Sequence, residues 1–240
     1  MKQKSFNIYV MSYKRYNTIL SQDLFEYCTY VVREEEAELY RKNGVKNILA
    51  IPKEAKVFDF MSTLYWIIEN TPEDVIFVAD DDIHKFVYRT KDTRDLILDD
   101  GTPDKETITS EIERTAQLLV DLDLGFAFDQ PNLALYSYNG AFHFKGMPGH
   151  IRWINKECLK AKYTNDDASS DVDMMMQELL HNRIILQTRY LCVLADMDTN
   201  EGAVDSRKEH KIFVEAMRNK WGKYYDYNFR KNTARINVAR

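Results

Sequence analysis

Three cysteines in 240 residues, Cys28, Cys158 and Cys192, are too few, too widely spaced and too odd in number to make a disulfide framework. No CxxC pair offers a zinc site either, so they read as buried reduced thiols. No apolar run approaches the roughly 20 residues that a membrane span needs. The start of the chain also lacks the apolar core of a signal peptide, so the expectation is a cytoplasmic protein with no membrane partner. Among the histidines, His84, His143, His150 and His181 show no metal-ligand spacing such as an i, i+4 pair. Internal repeats, low-complexity tracts and clean linkers are absent, which predicts one domain over 1–240.

What is present is an ordinary globular composition, 45% hydrophobic and 30% charged, in a chain long enough for a sizeable core. The net charge of −5 conceals an asymmetry. From Arg207 to Arg240 there are ten Lys or Arg against three acids, a balance of +7, so the first 206 residues carry −12. A basic tail on an acidic body points to a polyanion partner. The same residues would also suit a helix that covers apolar surface with its cationic stems.

Along the chain, alternation at Phe6, Ile8 and Val10 predicts a strand over Ser5–Met11, left by the loop Ser12-Tyr13-Lys14-Arg15-Tyr16. A short helix over Thr18–Glu26, a strand at Tyr30–Val32, a helix over Glu34–Asn43 stopped by Gly44, and a strand at Ile48–Ile51 follow. An amphipathic helix over Phe58–Asn70 then leads into a strand at 75–79. This β-α alternation predicts an α/β fold with a mostly parallel sheet flanked by helices. Beyond it we expect a strand at Ile83–Tyr88, a polar loop at 90–103 and a helix over Asp104–Leu122. Strands are expected at Gly125–Phe128 and Ile151–Ile154, with a glycine- and proline-containing aromatic loop at 129–150 between them. A helix over Asp171–His181, with Val172, Met175, Met176 and Leu179 as its inner stripe, a last strand over Arg183–Leu194 and a helix over Lys208–Lys220 complete the pattern.

The stretch Val75-Ile-Phe-Val-Ala-Asp-Asp-Asp82 carries the most chemistry. Four uncharged, β-rich residues read as a buried strand, and ligands of open α/β sheets gather at the carboxyl ends of strands. Side chains alternate on extended backbone, so Asp80 and Asp82 project to one side, where they could share Mn²⁺ or Mg²⁺. Such ions commonly bridge a carboxylate to a diphosphate, which suggests a nucleotide-activated substrate. The acidic pairs Asp99-Asp100 and Asp166-Asp167 read instead as solvated loop residues.

The Ser12–Arg15 loop, the parallel start, Asp80-Asp81-Asp82 at a strand end and Asp171-Val172-Asp173 at a later helix start occur in that order. The arrangement resembles the GT-A-type glycosyltransferases, and most closely the phage branch associated with TET/JBP-type DNA-modifying oxygenases. The resemblance extends over most of the chain, including Asn200-Glu201-Gly202, Arg207 and the basic helix that follows. It implies a Rossmann-type GT-A-like fold with a nucleotide-sugar-binding half at 1–90, an acceptor-side half at 91–206 and a basic helix and tail at 207–240.

Position by position, the resemblance implies that Asp80, Asp81 and Asp82 form the DxD motif, with Asp82 on the cation and Asp80 toward the nucleotide. Ser12, Tyr13 and Arg15 would form the base-binding loop, with Tyr13 on a uracil ring and Arg15 on a phosphate. Asp171, with Asp173 beside it, stands where inverting relatives place their general base, although Ser170 replaces the usual glutamate. The dipole of the helix N-terminus would weaken Asp171 as a base, and a capping role suits an aspartate there equally. His210, with Asp198 behind it, is the candidate late ligand to the metal.

The implied reaction moves a hexose from a nucleotide sugar, such as a UDP-hexose, to a hydroxymethylated pyrimidine in DNA. Tyr136, Tyr138, Phe142, His143 and Trp153 would line the pocket for an extruded base, or else pack the core. The tail, from Lys220 to Arg240, would track the phosphates. Three other readings stay open on the residues alone. One is a glycosyltransferase for a glycan or lipid-linked saccharide, and another is a nucleotidyltransferase, disfavoured by the missing Gly-rich loop. The third is a DNA-binding accessory protein without catalysis.

Overall fold

The computed structural model describes residues 4–90, 92–131, 134–196, 210–231 and 233–238. Its frame is an eight-stranded sheet. Strands β1 (Phe6–Met11), β2 (Thr29–Arg33), β3 (Ile48–Ile51) and β4 (Val75–Asp80) form a parallel half. Helices α1 (Ala37–Lys42) and α2 (Phe60–Asn70) lie in its crossovers. Two further strands leave this frame after β4: β5 (Ile83–Arg89) and β6 (Thr93–Asp95). They pair with each other, so the segment expected to be a polar loop contributes a short strand.

The chain returns through α3 (Lys105–Asp121) to β7 (Phe126–Asp129), β8 (Phe142–His143) and β9 (Ile151–Asn155). After α4 (Asp171–Asn182), the expected single strand at 183–194 is two, β10 (Leu186–Thr188) and β11 (Leu191–Ala195). They belong to different sheets: β10 extends the main sheet, whose order is β3-β2-β1-β4-β9-β7-β10-β8, and β11 pairs antiparallel with β5. One apolar run can therefore serve two sheets, and its composition gives no sign of the break at Arg189-Tyr190. The basic tail is also more structured than expected. Helix α5 (His210–Trp221) is followed by a hairpin of β12 (Tyr225–Asn228) and β13 (Thr233–Ile236).

Local chemistry sets the helix starts. Asp59 caps α2 by accepting from the Ser62 N–H at 2.7 Å, so that helix begins two residues later than its apolar pattern suggests. The short helix predicted at Thr18–Glu26 reduces to one 3₁₀ turn at Ser21–Leu24. Core residues fill both faces of the sheet. On one side Phe77, Trp153 and Ile8 meet Ile108, Ile112 and Leu119 of α3. On the other, Ile76, Val78 and Phe128 meet Leu64 of α2, Met175 of α4 and Val214 of α5. Each such side chain, fully buried, stabilises the fold by about 1.5–3 kcal/mol. Trp153 is one of them, with its indole N–H donating to the Ile112 carbonyl at 2.9 Å; it is core, not pocket lining. No helix among the described residues is long and apolar enough to cross a membrane.

Candidate active site

Because β4 is buried along Val75–Ala79 between β1 and β9, its last residue emerges at the carboxyl edge of the parallel half. Asp80 closes the strand, and Asp81 and Asp82 form the turn into β5. Ligand atoms of Asp80, Asp82 and His150 lie within 4.8 Å of one another. Asp80 and Asp82 come together as expected, but through the turn and not by alternation along a strand, and the third member is a histidine that sequence spacing did not single out.

Strand direction explains His150. Strand β9 runs antiparallel to β4, pairing Ala79 with Ile151, so its beginning lies beside the end of β4. The Asp80 N–H donates to the His150 carbonyl at 3.1 Å, and His150 Nδ1 stands 3.5 Å from Asp80 Oδ2. Two residues on, the buried Arg152 donates from Nη1 to Asp80 Oδ1 at 2.8 Å and from Nη2 to the Gly149 carbonyl at 3.1 Å. Its guanidinium also lies 4.4 Å from the Phe60 ring centroid.

Asp81 turns away from this cluster, toward the loop after β1. Ser12 Oγ donates to its Oδ2 at 2.5 Å, and Arg15 Nε lies 3.3 Å from its Oδ1. Arg15 also reaches Asp82, with Nη2 3.7 Å from Oδ2, and its backbone N–H donates to the Tyr40 hydroxyl at 3.1 Å. Ser12 and Arg15 therefore hold the acidic turn in place. Tyr13 is 45% exposed, with the Lys14 ammonium and the Arg33 guanidinium 5.0 and 5.8 Å from its ring centroid.

The two aspartates at the start of α4 have different surroundings. Ser170 is the N-cap, its Oγ accepting from the Asp173 N–H at 3.0 Å, so the residue in place of glutamate has a clear structural task. Asp171 is freed from capping. It accepts from the Val172 N–H at 2.7 Å, and Arg152, Asp80 and His150 are among its electrostatic neighbours. The acidic helix start, some 90 residues beyond the acidic strand end in sequence, thus lies within reach of its charges. Asp173, expected to share the catalytic role, points the other way. It is buried, accepting from Trp221 Nε1 at 2.8 Å, Lys220 Nζ at 2.9 Å and Gln177 Nε2 at 2.9 Å. Its work is to tie α4 to α5.

His210 is likewise elsewhere. It opens α5 inside an aromatic cluster, with its ring centroid 4.8 Å from that of Tyr227 and 6.1 Å from that of Phe213. Among the described residues the acidic cluster takes His150 instead. Asp198 and the 200–207 segment lie outside the described residues.

Electrostatics at the site favour an added cation. Burial pushes Asp81 up to about 6 against the pull of Ser12 and Arg15, and raises Asp82, helped by the neighbouring Asp80 charge. For Asp80 burial also acts upward, but Arg152 and His150 outweigh it and hold the carboxyl below its ordinary range. The bond to Asp80 raises His150 against the opposing effect of burial. Burial raises Asp171 too, opposed by Arg152, so the helix N-terminus does not make it an unusually weak base. A further carboxylate, Asp129 at the end of β7, is fully buried and pushed up to about 6 by burial. Asp80, Asp81, Asp82, Asp129 and Asp171 thus face the guanidiniums of Arg15 and Arg152, leaving an acidic excess. Asp82 Oδ1 is buried with no hydrogen-bond partner. Two carboxylates, one of them with an orphaned oxygen, and an imidazole fit Mn²⁺ or Mg²⁺.

Two buried arginines to which no sequence pattern points shape the loop after β7. Arg89 donates to the Ala134 carbonyl at 2.5 Å and to Ser137 Oγ at 2.6 Å, while Arg189 Nε donates to Gln130 Oε1 at 2.6 Å. Tyr138 lies under the Arg89 guanidinium, Phe142 packs edge-on against Tyr190, His143 is half-buried and Tyr136 is 92% exposed. The signal for Asp129 was available: Phe126-Ala-Phe-Asp129 repeats the pattern of an apolar strand ending in an acid.

Residues 6–117 match the family described as TET-Associated Glycosyltransferase. No curated protein matches the sequence. Among solved structures, the mannosyltransferase of Pyrobaculum calidifontis in complex with GDP-Man and Mn²⁺ superposes with a TM-score of 0.58 at 9% identity, over 93% of this chain and 66% of that one. Glucosyl-3-phosphoglycerate synthase of Mycobacterium tuberculosis, in complex with Mn²⁺, UDP-glucose and phosphoglyceric acid, gives 0.54 at 9% identity over 97% and 86%. Its complex with Mg²⁺ and UDP gives 0.54 at 10% identity over 97% and 87%. The chain has the GT-A fold of these glycosyltransferases, and its residues 6–117 match the TET-associated glycosyltransferase family.

Proposed function

We propose that the protein transfers a hexose from a nucleotide sugar, in the first instance a UDP-hexose, to the hydroxyl of a hydroxymethylated pyrimidine in DNA. The observation that carries the donor half of this reading is the cluster of Asp80, Asp82 and His150 at one strand edge, whose charges Asp171 feels. Asp82, Asp80 and His150 would hold a divalent cation, which when bound neutralises charge developing on the departing diphosphate. Tyr13, exposed beside the site, offers a ring face to the nucleobase, and Ser12 and Arg15 keep the acidic turn in register.

Asp171 is the general base in this reading. Its carboxylate takes the proton of the acceptor hydroxyl as that oxygen bonds to the anomeric carbon. The bond from that carbon to the diphosphate oxygen breaks, and its electron pair leaves with the nucleoside diphosphate. Arg152 holds Asp80 through its hydrogen bond, and its charge also acts on Asp171.

The DNA half rests on the family match and on the C-terminal unit. Helix α5 and its hairpin carry Lys223, Arg230, Lys231 and Arg235 beside the exposed rings of Tyr224 and Phe229, a surface suited to phosphates and unstacked bases. Through Lys220 and Trp221 the same unit is bonded to Asp173, two residues beyond the proposed base. The protein should be incubated with Mn²⁺ and a panel of UDP, GDP and TDP sugars, then with hydroxymethylated and unmodified DNA. Sugar transfer only to hydroxymethylated DNA is the expected result. Donor hydrolysis without transfer to DNA would move the acceptor to a glycan or lipid-linked saccharide, and absence of both reactions would refute the reading.

A further inference from the structure

The segment that delivers His150 is unusually confined. On one side, the Asp80 N–H holds the His150 carbonyl at 3.1 Å. On the other, Asp129 Oδ1 accepts from the Ile151 N–H at 3.1 Å, so the single peptide group that follows His150 is fixed at both its carbonyl and its N–H. Gly149 lies directly against the same carboxylate: a Cβ there would fall 2.3 Å from Asp129 Oδ1 and 2.6 Å from its Cγ and Oδ2. The approach is therefore open only to glycine. A second close approach precedes it, where Gly146 lies against Gln187, which donates to the Met147 carbonyl at 3.1 Å.

Asp129 itself is 0% exposed, and its Oδ2 is buried with no hydrogen-bond partner. A buried, half-satisfied carboxylate is costly to keep, and Oδ1 alone could be replaced by an amide oxygen. What an amide would not supply is the negative charge that acts on the His150 imidazole, a ring that must present a lone pair to a cation. Carboxylates behind metal-binding histidines fix ring orientation and raise ligand basicity.

We propose that Asp129 is a positioning residue for the cation site, setting His150 as its third ligand through the Gly149–Ile151 backbone and through its charge. The inference rests on the reading of Asp80, Asp82 and His150 as cation ligands, and it assigns Asp129 no contact with sugar or nucleotide.

The test uses Mn²⁺ alone, titrated into the intact protein and followed by the electron paramagnetic resonance of the free ion. Asp129→Asn should weaken Mn²⁺ binding about 10- to 100-fold, the range for residues behind metal ligands, while circular dichroism and the melting temperature stay near wild type. His150→Ala sets the scale, and adding Asp129→Asn to it should cost little more, because both changes remove the same ligand. Gly149→Ala, which pushes on Asp129 while keeping its charge, should weaken Mn²⁺ as well. Wild-type affinity in Asp129→Asn would overturn the proposal, as would an equal loss in the presence and absence of His150. Wild-type protein that binds no Mn²⁺ would overturn the cation reading and this inference with it, whereas loss of the effect in Asp129→Asn alone would leave the cation reading standing.

Discussion

The two halves of the central sheet bring residues to the site by opposite routes. In the parallel half, β1 and β4 end at the same edge, so the residues after each strand, Ser12 to Arg15 and Asp80 to Asp82, meet there. In the mixed half, β7 runs parallel to β4 and contributes the residue at its end, Asp129, whereas β9 runs against both and contributes the residues at its start, His150 and Arg152. A parallel strand offers its exit to the carboxyl edge, and an antiparallel strand offers its entrance. The parallel half supplies the acidic turn together with Ser12 and Arg15, which hold it, and the mixed half supplies His150, Arg152 and Asp129.

The largest test of this division is Asp82→Ala, in the parallel half. It removes the carboxylate with the orphaned oxygen and should lower transfer about 10³-fold, equivalent to about 4 kcal/mol of lost transition-state stabilisation. Metal-dependent nucleotide binding, followed by calorimetry with and without Mn²⁺, should fall with it. Near-normal binding and turnover in this variant would mean that the acidic turn is structural and that the halves do not divide the work as described.

Next comes Asp171, the proposed base. Asp171→Asn should reduce kcat about 10²- to 10⁴-fold, the usual contribution of general-base catalysis, while Mn²⁺-dependent nucleotide binding is retained. The base works in its ionised form, and burial raises its pKa, so activity should be present at higher pH and lost as pH falls through a point above the ordinary aspartate range. An acid limb unchanged in the residual activity of Asp171→Asn would assign the titration to another group.

Most of the parallel half was legible in the chain. Buried strands there are continuous apolar runs, and short helices between them leave a β-α alternation that periodicity can resolve. The mixed half resisted for physical reasons. Nothing local tells a strand its direction, so His150 and Arg152 looked like loop and strand residues far from the acidic turn. Nothing in Ile184–Ala195 shows that its two ends join different sheets. The start of α4 was half-legible: the acidic pair was visible, but which aspartate faces the site depends on α5, which lies 40 residues further on and captures Asp173.

That capture predicts a smaller effect of another kind. Asp173→Ala leaves the Trp221 indole N–H and the Lys220 ammonium without their shared acceptor. The cost of such unsatisfied groups is about 1–3 kcal/mol, and each kcal/mol lowers the melting temperature of a chain this long by about 2–4 °C. At temperatures where the variant remains folded, kcat should stay within a few-fold of wild type, in contrast to Asp171→Asn. A loss of kcat as large as that of Asp171→Asn, with the melting temperature unchanged, would place Asp173 in the chemistry after all.

The smallest expected effect separates the C-terminal hairpin from both halves of the sheet. Arg230 and Lys231 sit exposed in the turn between β12 and β13 and are not part of the acidic cluster, so neutralising them should leave donor binding and hydrolysis untouched. If the hairpin tracks a phosphate backbone, each lost contact releases about one fewer counterion, and the slope of log affinity for DNA against log salt should fall by about 0.9 per contact on a duplex. Arg230→Gln with Lys231→Gln should therefore flatten that slope by up to about two and weaken DNA binding similarly for every sequence tested. Loss confined to hydroxymethylated DNA would instead indicate that these residues read the base. An unchanged slope would remove this turn from the DNA path and leave the acceptor to be held by the loop that Arg89 and Arg189 fix beside the mixed half of the sheet.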